Sequence, residues 1–392
     1  MKKKILFVLN QMGAGGVAKS LSNLLFHLEK YKDEYDVDLF LLRKDGCYIK
    51  DIPTYVNVME SKGILKLFGA SQKDTKKFGF GAYFARFLVA CWTKVFGNSL
   101  PLKIGAKQNK LTTKYDAAIS FTHTQGGRDM AAGSVEFVLN GVDAKKKFMV
   151  IHGDPVVENL LTKSTIKNMI KFNKVFCVSA SCANQAKEHS PKLSNVIDFL
   201  YNTQRNDIIL SNSTALNNMY NQNTLNLVTV SRLEHQKAHL RLLPIIKKLH
   251  DEGFKFVLNI VGDGVLKEQI KEYILSNSMN EYVIMHGVQL NPFPYMKYAD
   301  LFVFPSYWES WGMVLTEAML LKVPVFATRT CPAEEVVGNL GFICENNADD
   351  IYKQLKYVLQ NPHLIQQKRE GLKDFDYDND SIIKKLLSFI DD

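Results

Sequence analysis

The chain lacks the signatures of a disulfide-stabilised, zinc-binding or membrane-spanning protein. None of its six cysteines forms a pair with metal-type spacing, so we predict reduced thiols in a cytosolic protein. The apolar run at residues 5–9 is too short for a signal peptide and leads into a glycine loop, which favours a first β-strand. Arg86 and Lys94 interrupt the apolar run around them, which argues against a transmembrane span there. The cysteines are Cys47, Cys91, Cys177, Cys182, Cys331 and Cys344.

What the chain does have is length and a regular alternation of short apolar runs with helical patterns. Its 392 residues suit two domains of ordinary size. The alternation predicts parallel sheets in both halves, with the helix at 17–31 following the glycine loop. The predicted strands are 5–9, 37–42, 117–121, 148–151 and 175–178, then 225–230, 256–261, 283–286, 301–304 and 323–327.

A stretch rich in Asn and Ser, residues 201–226, predicts the domain junction. We therefore expect a first domain over 1–205 and a second over 206–375. The tail at 381–390 is apolar at helical spacing, which predicts a separate last helix within 376–392.

Two glutamates, Glu309 and Glu317, are separated by seven residues across a predicted strand–helix junction. The strand at 301–304 is continuously apolar and ends at Pro305, and helical spacing begins near Gly312. The unpaired N–H groups at the start of a helix suit a phosphate. Two carboxylates flanking that phosphate would accept hydrogen bonds from hydroxyls on both sides of a diphosphate. A nucleotide sugar has this arrangement.

This stretch resembles the retaining glycosyltransferases of family four, which carry a glutamate, seven residues and a second glutamate. Further markers occur in the family's order: 13–16, 150–154, 230–233 with Lys237, 260–264, 286–288 and 298–300. The resemblance implies an α/β protein of GT-B fold, in which two Rossmann-like, doubly wound parallel-sheet domains face each other across a cleft. It also implies that the last helix crosses back onto the first domain.

The same resemblance implies roles for particular residues. Arg232 and Lys237 would neutralise the diphosphate, and Glu309 would hold the sugar hydroxyls. Glu317 would accept hydrogen bonds from the ribose, and His152 would contact the donor sugar. The other donor-site candidates are Gly15, Gly16, Gly262, Gly287, Val288, Ser310, Trp311, Gly312, Met313 and Val314.

The basic pair has a physical rationale independent of any family. Arg232 and Lys237 follow the predicted strand at 225–230, at the edge where an open parallel sheet usually binds its ligand. Fixed cations there would stabilise a diphosphate leaving group. The alternative for the two residues alone is a solvated arginine and lysine in a surface loop.

The glycine loop allows a competing hypothesis. Gly13, Gly15 and Ala18 fit a permissive dinucleotide fingerprint between a strand and a helix. The next strand ends in Arg43 and Lys44, which would suit only a phosphorylated ribose. An NADP oxidoreductase is thus a formal alternative, but it leaves the downstream glutamates and cations without a role. We favour a glycine turn that lets phosphate approach backbone N–H groups.

Two histidines follow predicted strands of the first half. His152 comes after 148–151, and His123 comes after 117–121. We predict His152 at the donor sugar and His123 on the acceptor side, although a histidine in this position is often structural.

No cofactor and no obligatory metal are expected. Asp36 and Asp38 look like the metal-binding pair of the other large glycosyltransferase class, but they begin an alternating strand and so should face solvent. No other carboxylates or histidines have metal-ligand spacing.

Residues 61–110 combine basic charge with aromatic residues. They contain ten basic residues and one acidic residue, Asp74, an excess equal to the net charge of +9 of the whole chain. This composition is typical of a surface that rests on anionic lipid headgroups. The alternative is a pair of core helices with solvated lysines. No nucleic-acid-binding module accompanies the charge. The aromatic residues are Phe68, Phe78, Phe80, Tyr83, Phe84, Phe87, Trp92 and Phe96.

These observations lead to one expected function. We expect a retaining transferase that moves a hexose or N-acetylhexosamine from a nucleotide-diphosphate sugar, favoured to be a UDP-sugar, to a lipid-linked saccharide of an envelope or capsular glycan. It would be cytoplasmic and peripheral to the inner face of the cell membrane. A non-enzymatic nucleotide-sugar-binding partner and a sugar-nucleotide epimerase are the alternatives. Ser310 and Trp311 stand where the family commonly has Gly and Phe, which leaves the sugar undetermined.

Overall fold

The computed structural model describes residues 2–70, 72–76, 79–124, 126–214, 220–221 and 223–392, with Lys73 described by its backbone alone. Lys77 and Phe78 of the basic segment, and 215–219 and 222 of the predicted junction, lie outside the described residues. The chain forms two compact units: unit 1 is Met1–Thr203 with Asp378–Asp392, and unit 2 is Gln204–Tyr377.

Each unit is built on one parallel sheet. The strands of unit 1 are β1 (Lys3–Leu9), β2 (Tyr35–Leu41), β3 (Asn57–Glu60), β4 (Lys114–Ser120), β5 (Asp143–Ile151), β6 (Lys174–Cys177) and β7 (Ile197–Phe199). Those of unit 2 are β8 (Leu225–Val230), β9 (Phe256–Val261), β10 (Val283–Gly287), β11 (Leu301–Phe304), β12 (Val325–Thr328) and β13 (Phe342–Cys344). The spatial orders are β3-β2-β1-β4-β5-β6-β7 and β10-β9-β8-β11-β12-β13.

Helices connect successive strands. In unit 1 they are α1 (Gly16–Leu28), α2 (Ile64–Phe68), α3 (Gln72–Thr75), α4 (Phe80–Phe96), α5 (Ser99–Gln108), α6 (Ser134–Asn140), α7 (Lys163–Met169) and α8 (Ala180–His189). Unit 2 contains α9 (Asn206–Asn212), α10 (His239–Asp251), α11 (Lys267–Ser276), α12 (Phe293–Lys297), α13 (Met313–Leu320), α14 (Ala333–Val336), α15 (Ala348–Gln360) and α16 (Pro362–Gly371). The chain ends in α17 (Asn379–Asp391).

The central strands follow directly from the sequence. Ile5, Leu6 and Phe7 of β1 are fully buried, as expected for a parallel strand covered by helices on both faces. In both sheets the strand order reverses beside the first strand, between β1 and β4 and between β8 and β11. Loops diverge at such a switch point and leave a crevice at the carboxyl ends of the strands. The predicted α/β fold class, with two Rossmann-like parallel-sheet domains, is confirmed.

The differences from the predicted elements have local causes. The strand expected at 323–327 begins at Val325, because Pro324 has no N–H for the ladder. The helix expected at 17–31 ends at Leu28 and continues as a 3₁₀ turn. The strands β3, β7 and β13 were missed; each has only three or four residues and lies at a sheet edge. Asp38, expected to face solvent, is partly buried and accepts a hydrogen bond from the Tyr115 hydroxyl at 2.6 Å.

The last helix, α17, belongs to unit 1. Lys3 Nζ lies 2.8 Å from an Asp391 carboxylate oxygen, and the Tyr35 hydroxyl donates to the same carboxylate at 2.8 Å. The ring of Phe389 packs edge-on against Phe176, with centroids 5.0 Å apart. The chain thus returns to unit 1 after completing unit 2.

Candidate functional site

The loops after β8 and β11 bring Lys237 and Glu309 into contact. Lys237 lies in a 3₁₀ turn (His235–Lys237) before α10, and its ammonium donates to the carboxylate of Glu309. The two side chains are only 14% and 7% exposed. Lys237 Nζ also lies 5.1 Å from the centroid of the Phe304 ring. Breaking a buried ion pair leaves two charges without partners, so a ligand that separates this pair has to supply an anion to Lys237 and a hydrogen-bond donor to Glu309.

One backbone hydrogen bond and one from a side-chain amide join these two loops. Tyr307 N donates to Gln236 O at 2.8 Å, and Gln236 Nε2 donates to Trp308 O at 2.9 Å. The His235 and Tyr307 rings stack with centroids 5.0 Å apart. The loop that carries Glu309 is therefore fixed against the loop that carries Lys237.

The guanidinium group of Arg241, in α10, contacts the loop after β11. Its guanidinium lies 4.1 Å from the centroid of the Tyr307 ring and donates to Pro305 O and to Asn346 O. Asn346 Nδ2 in turn donates to Tyr307 O at 2.7 Å, and the Thr328 hydroxyl donates to Ser306 O at 2.6 Å. The roles of Arg241, Asn346 and Thr328 were not predicted from the sequence, because they depend on contacts with distant segments.

Arg232 stands apart from the buried pair. Its side chain is 62% exposed, and its ion pair within the described part of the chain is with Glu234 at 2.8 Å. The structure therefore brings Lys237 and Glu309 together but places Arg232 at the surface of the same loop.

The start of α13 is capped by a glycine and is partly exposed. Gly312 caps it at φ 78°, and a Cβ there would lie 2.9 Å from a Leu315 methyl group. Ser310, Met313 and Val314 are partly exposed around the cap, whereas Trp311 is buried. Glu317, the fifth residue of α13, is buried as well.

The glycines predicted at the donor site of unit 2 fall into two groups. Gly262 has φ 143°, and a Cβ on it would lie 1.9 Å from Ser231 O, so the close approach of the loops after β8 and β9 requires glycine. Gly287, at φ 67°, faces open space, and Val288 beside it is exposed. Gly262 therefore shapes the site, while Gly287 and Val288 border it.

In unit 1, the glycine loop after β1 is open. A Cβ on Gly15 or Gly16 would meet no atom within 4 Å, so space remains at the first turn of α1. Gly46, near this loop, has no room for a side chain. Its φ is 121°, and a Cβ added to it would lie 2.1 Å from Met12 O. The sequence analysis missed Gly46, which lies outside any recognisable motif.

His123 and His152 lie at the ends of the neighbouring strands β4 and β5. The His152 ring packs 4.9 Å from the Phe121 ring. Burial lowers the pKa of His123 to about 4. Burial also lowers the pKa of His152, to about 3, with a further contribution from the positive charge of His123. Both imidazoles are therefore neutral at pH 7 and can donate or accept a hydrogen bond with a hydroxyl.

Part of the chain matches a known protein family. Residues 218–375 match the family model described as glycosyl transferases group 1. An uncharacterized glycosyltransferase of Methanocaldococcus jannaschii is 27% identical over 239 residues, which cover 58% of this chain and 62% of that protein. N-acetylgalactosamine-N,N'-diacetylbacillosaminyl-diphospho-undecaprenol 4-alpha-N-acetylgalactosaminyltransferase of Campylobacter jejuni is 29% identical over 151 residues, 38% of this chain and 40% of that one. The chain spans less than two thirds of the length of these curated relatives.

The structural likeness extends over nearly the whole chain. The crystal structure of Anabaena HepE in complex with UDP and glucose superposes with a TM-score of 0.68 at 17% identity, covering 99% of both chains. At this identity the likeness establishes the fold. Residues 218–375 thus match the group 1 glycosyl transferases, and the chain has the GT-B fold.

Proposed function

We propose that the protein transfers a hexose or N-acetylhexosamine, with retention of configuration, from a nucleotide-diphosphate sugar to a lipid-linked saccharide of an envelope or capsular glycan. The observation that carries the proposal is the buried Lys237–Glu309 pair at the switch point of unit 2. A cation and a carboxylate held there, beside the start of a helix, suit a ligand with a diphosphate and hydroxyls.

The donor is proposed to be a UDP-sugar. The solved structure of HepE holds UDP and glucose, which supports a uridine nucleotide for this chain. The diphosphate would lie against Lys237, Arg232 and the first N–H groups of α13. Glu317 would accept hydrogen bonds from the ribose hydroxyls. Gly15 and Gly16 leave room for a phosphate to approach the backbone of unit 1.

Donor binding would exchange the partners of the buried pair. Lys237 Nζ would leave Glu309 for the diphosphate oxygens, where it stabilises the charge that develops as the glycosidic bond breaks. The freed Glu309 carboxylate would accept hydrogen bonds from the sugar hydroxyls. The acceptor hydroxyl would attack from the face of the departing phosphate, which takes its proton. His152 would contact the donor sugar and His123 the acceptor, both as neutral imidazoles. No obligatory metal is proposed, because the lysine and arginine supply the positive charge.

The acceptor is proposed to be lipid-linked and the protein to rest on a membrane. The Campylobacter relative is named for an acceptor attached to diphospho-undecaprenol. In this chain, α4 presents apolar side chains to solvent: of its 17 residues, all of them described, Thr93 alone is buried. Phe84, Phe87 and Trp92 are between 42% and 52% exposed.

Positive charge accompanies this apolar face. Lys94 on α4 and Lys103 and Lys107 on α5 are exposed, whereas Arg86 is turned inward and donates to Ala70 O at 2.7 Å. Aromatic side chains flanked by lysines suit the interface of an anionic bilayer. Among the described residues, no helix combines the length and the apolar character needed to cross a bilayer. We propose a peripheral position on the cytoplasmic leaflet.

The test is release of nucleotide diphosphate from a panel of uridine and guanosine sugar donors, with and without membrane lipid extract. We expect release from one UDP-sugar, stimulated by lipid and abolished in Glu309→Ala and Lys237→Ala. Lys247→Ala, on the exposed face of α10, is the matched control and should behave as wild type. Lack of release from every donor, together with lack of stabilisation by UDP, would refute the proposal. Isomerised donor in the absence of acceptor would favour an epimerase.

A further inference from the structure

A cavity of about 390 Å³ lies within unit 1, at the junction of α4 and α5. The start of α5, the loop after β4 and the helices α6 and α7 form its walls. Its volume is in the range of small-molecule binding sites, roughly 300–1,000 Å³. None of the donor- and acceptor-site candidates of unit 1, which are Gly15, Gly16, His123 and His152, lines this cavity.

Lysines reach this cavity from two helices. Lys103 comes from α5, and Lys167 and Lys171 come from the region of α7. Among the ion pairs of the described residues, none includes Lys103 or Lys167, and Lys171 Nζ donates to Asn168 Oδ1 at 3.2 Å. Three cations that line one cavity attract an anion.

One carboxyl group, that of Glu136, also lines the cavity. It is buried and directed to its own helix, where it accepts a hydrogen bond from Gly133 N at 3.1 Å. Burial raises the pKa of the Glu136 carboxyl group. Asn98, Thr124 and Thr165 add neutral polar groups to the lining.

The cavity opens beside the exposed apolar face. Phe96, the last residue of α4, lines it and is 70% exposed. Leu100 and Ile104, which flank Lys103 on α5, are exposed as well. A ligand that fits this arrangement has an anionic head for the lysines and a hydrocarbon chain for the apolar residues.

We propose that this cavity binds the phosphate or diphosphate group of the lipid-linked acceptor, with the hydrocarbon chain running from Phe96 over α4 towards the membrane. The inference rests on the proposed function and adds to it a second anion site, in unit 1, separate from the donor site of unit 2. The site would position the acceptor by its anionic linkage, whatever saccharide it carries.

The experiment compares two double variants with the same change in charge. Lys103→Gln with Lys167→Gln removes two lysines that line the cavity. Lys107→Gln with Lys163→Gln removes one lysine from α5 and one from α7 that are exposed but lie outside the lining. Binding of farnesyl diphosphate, inorganic diphosphate and phosphatidylglycerol vesicles is measured for each by calorimetry or co-sedimentation.

We expect the cavity variant to bind farnesyl diphosphate at least about tenfold more weakly than wild type, since two charge-assisted contacts are lost. The matched variant should bind it as wild type does. Vesicle binding should fall equally in both, because it depends on total charge. Phe96→Ser should weaken the binding of farnesyl diphosphate and leave the binding of inorganic diphosphate unchanged. This difference separates the contribution of the hydrocarbon chain from that of the diphosphate group.

An equal loss of affinity for farnesyl diphosphate in both double variants would overturn the proposed site, because general surface charge would then explain the binding. A selective loss of vesicle binding in the cavity variant would also overturn it, in favour of bulk phospholipid headgroups. UDP binding, measured in the same samples, reports on unit 2. A protein that binds farnesyl diphosphate in the cavity but never binds UDP would refute the proposed function and retain the site.

Discussion

The two units share a sheet order but differ in what they build at its carboxyl edge. In unit 2, the loops after β8 and β11 are tied together by charged and amide side chains, and Lys237 and Glu309 are buried as a pair. In unit 1, the corresponding loops after β1 and β4 carry an open glycine turn and a histidine with a depressed pKa. The edge of unit 2 holds a buried ion pair between its two loops, whereas these two loops of unit 1 hold an open glycine turn and a neutral imidazole.

The two units also differ in how many apolar side chains they expose together on the surface away from the strand ends. Unit 1 exposes several large apolar side chains of one helix, α4, next to exposed lysines. In unit 2 the large exposed apolar residues are scattered, as Val265 and Leu290 are in separate loops. The same architecture therefore divides the proposed tasks: unit 2 supplies the charged chemistry for the donor, and unit 1 supplies the surface for an amphipathic acceptor.

The largest effect should come from breaking the charged pair of unit 2. Lys237→Gln should lower turnover by about a hundred- to a thousandfold, because the diphosphate loses its main positive partner in the transition state. Affinity for UDP should fall much less, and steady-state kinetics with UDP titrations measure both. Arg232→Gln, at an exposed position of the same loop, should have a smaller effect. An equal loss of turnover and UDP affinity would contradict a leaving-group role.

The apolar face of unit 1 provides the second test. Replacing Phe84 and Phe87 by serine should reduce partitioning to phosphatidylglycerol vesicles by about a hundredfold, at roughly 1.5 kcal/mol or more per buried aromatic ring. Serine at Val265 and Leu290 in unit 2 is the matched control and should change nothing. Co-sedimentation measures the partitioning, and a polarity-sensitive dye on Cys91 of α4, with Cys47 as reference, reports insertion. Equal losses in the two pairs would contradict a specific membrane face.

The clamp of unit 2 should give an intermediate effect. Arg241→Lys keeps the charge but loses the planar contact with Tyr307 and one of the two backbone acceptors. Turnover should fall about tenfold, equivalent to about 1.4 kcal/mol, as Glu309 loses its fixed position. The KM for the donor should change less than kcat. A change in thermal stability with normal kcat would show that Arg241 is purely structural.

The smallest effect concerns the histidines of unit 1. The unfolded chain binds protons at His152 below about pH 6.5, whereas the folded state does so only near its depressed pKa, so acid favours unfolding. The contribution of each neutral imidazole to the free energy of unfolding is fully present above the unfolded pKa of about 6.5 and is lost on acidification. The loss is about 0.8 kcal/mol per histidine between about pH 7.5 and about pH 6. Urea unfolding at the two pH values should show this difference, and His152→Gln should reduce it. An unchanged difference in the variant would contradict a buried neutral imidazole.

The sequence alone predicted the central strands and placed Lys237 and Glu309 in loops at the same edge of one sheet. Continuous apolar runs mark β1, β8 and β11, and the parallel order brings the loops that follow them to one edge. The edge strand β3 was missed because its partial exposure leaves no apolar run. The role of Arg241 was missed because its backbone acceptors, Pro305 and Asn346, lie 64 and 105 residues away.

Exposure was the other property that sequence could not determine. The aromatic pattern of residues 80–96 fits a core helix as well as a surface helix, since periodicity shows that one face is apolar without showing what covers it. The structure leaves that face uncovered by the described residues.

The return of α17 to unit 1 has a consequence for synthesis of the protein. Unit 2 is continuous in the chain, whereas unit 1 is completed only by Asp378–Asp392, which are translated after all of unit 2. On the ribosome, the β-sheet of unit 1 therefore emerges first but has to wait for its final helix, with the surface beneath Ile383 and Leu386 uncovered. Unit 2 can fold during that interval, so the part of the chain made first is the last to reach its native state.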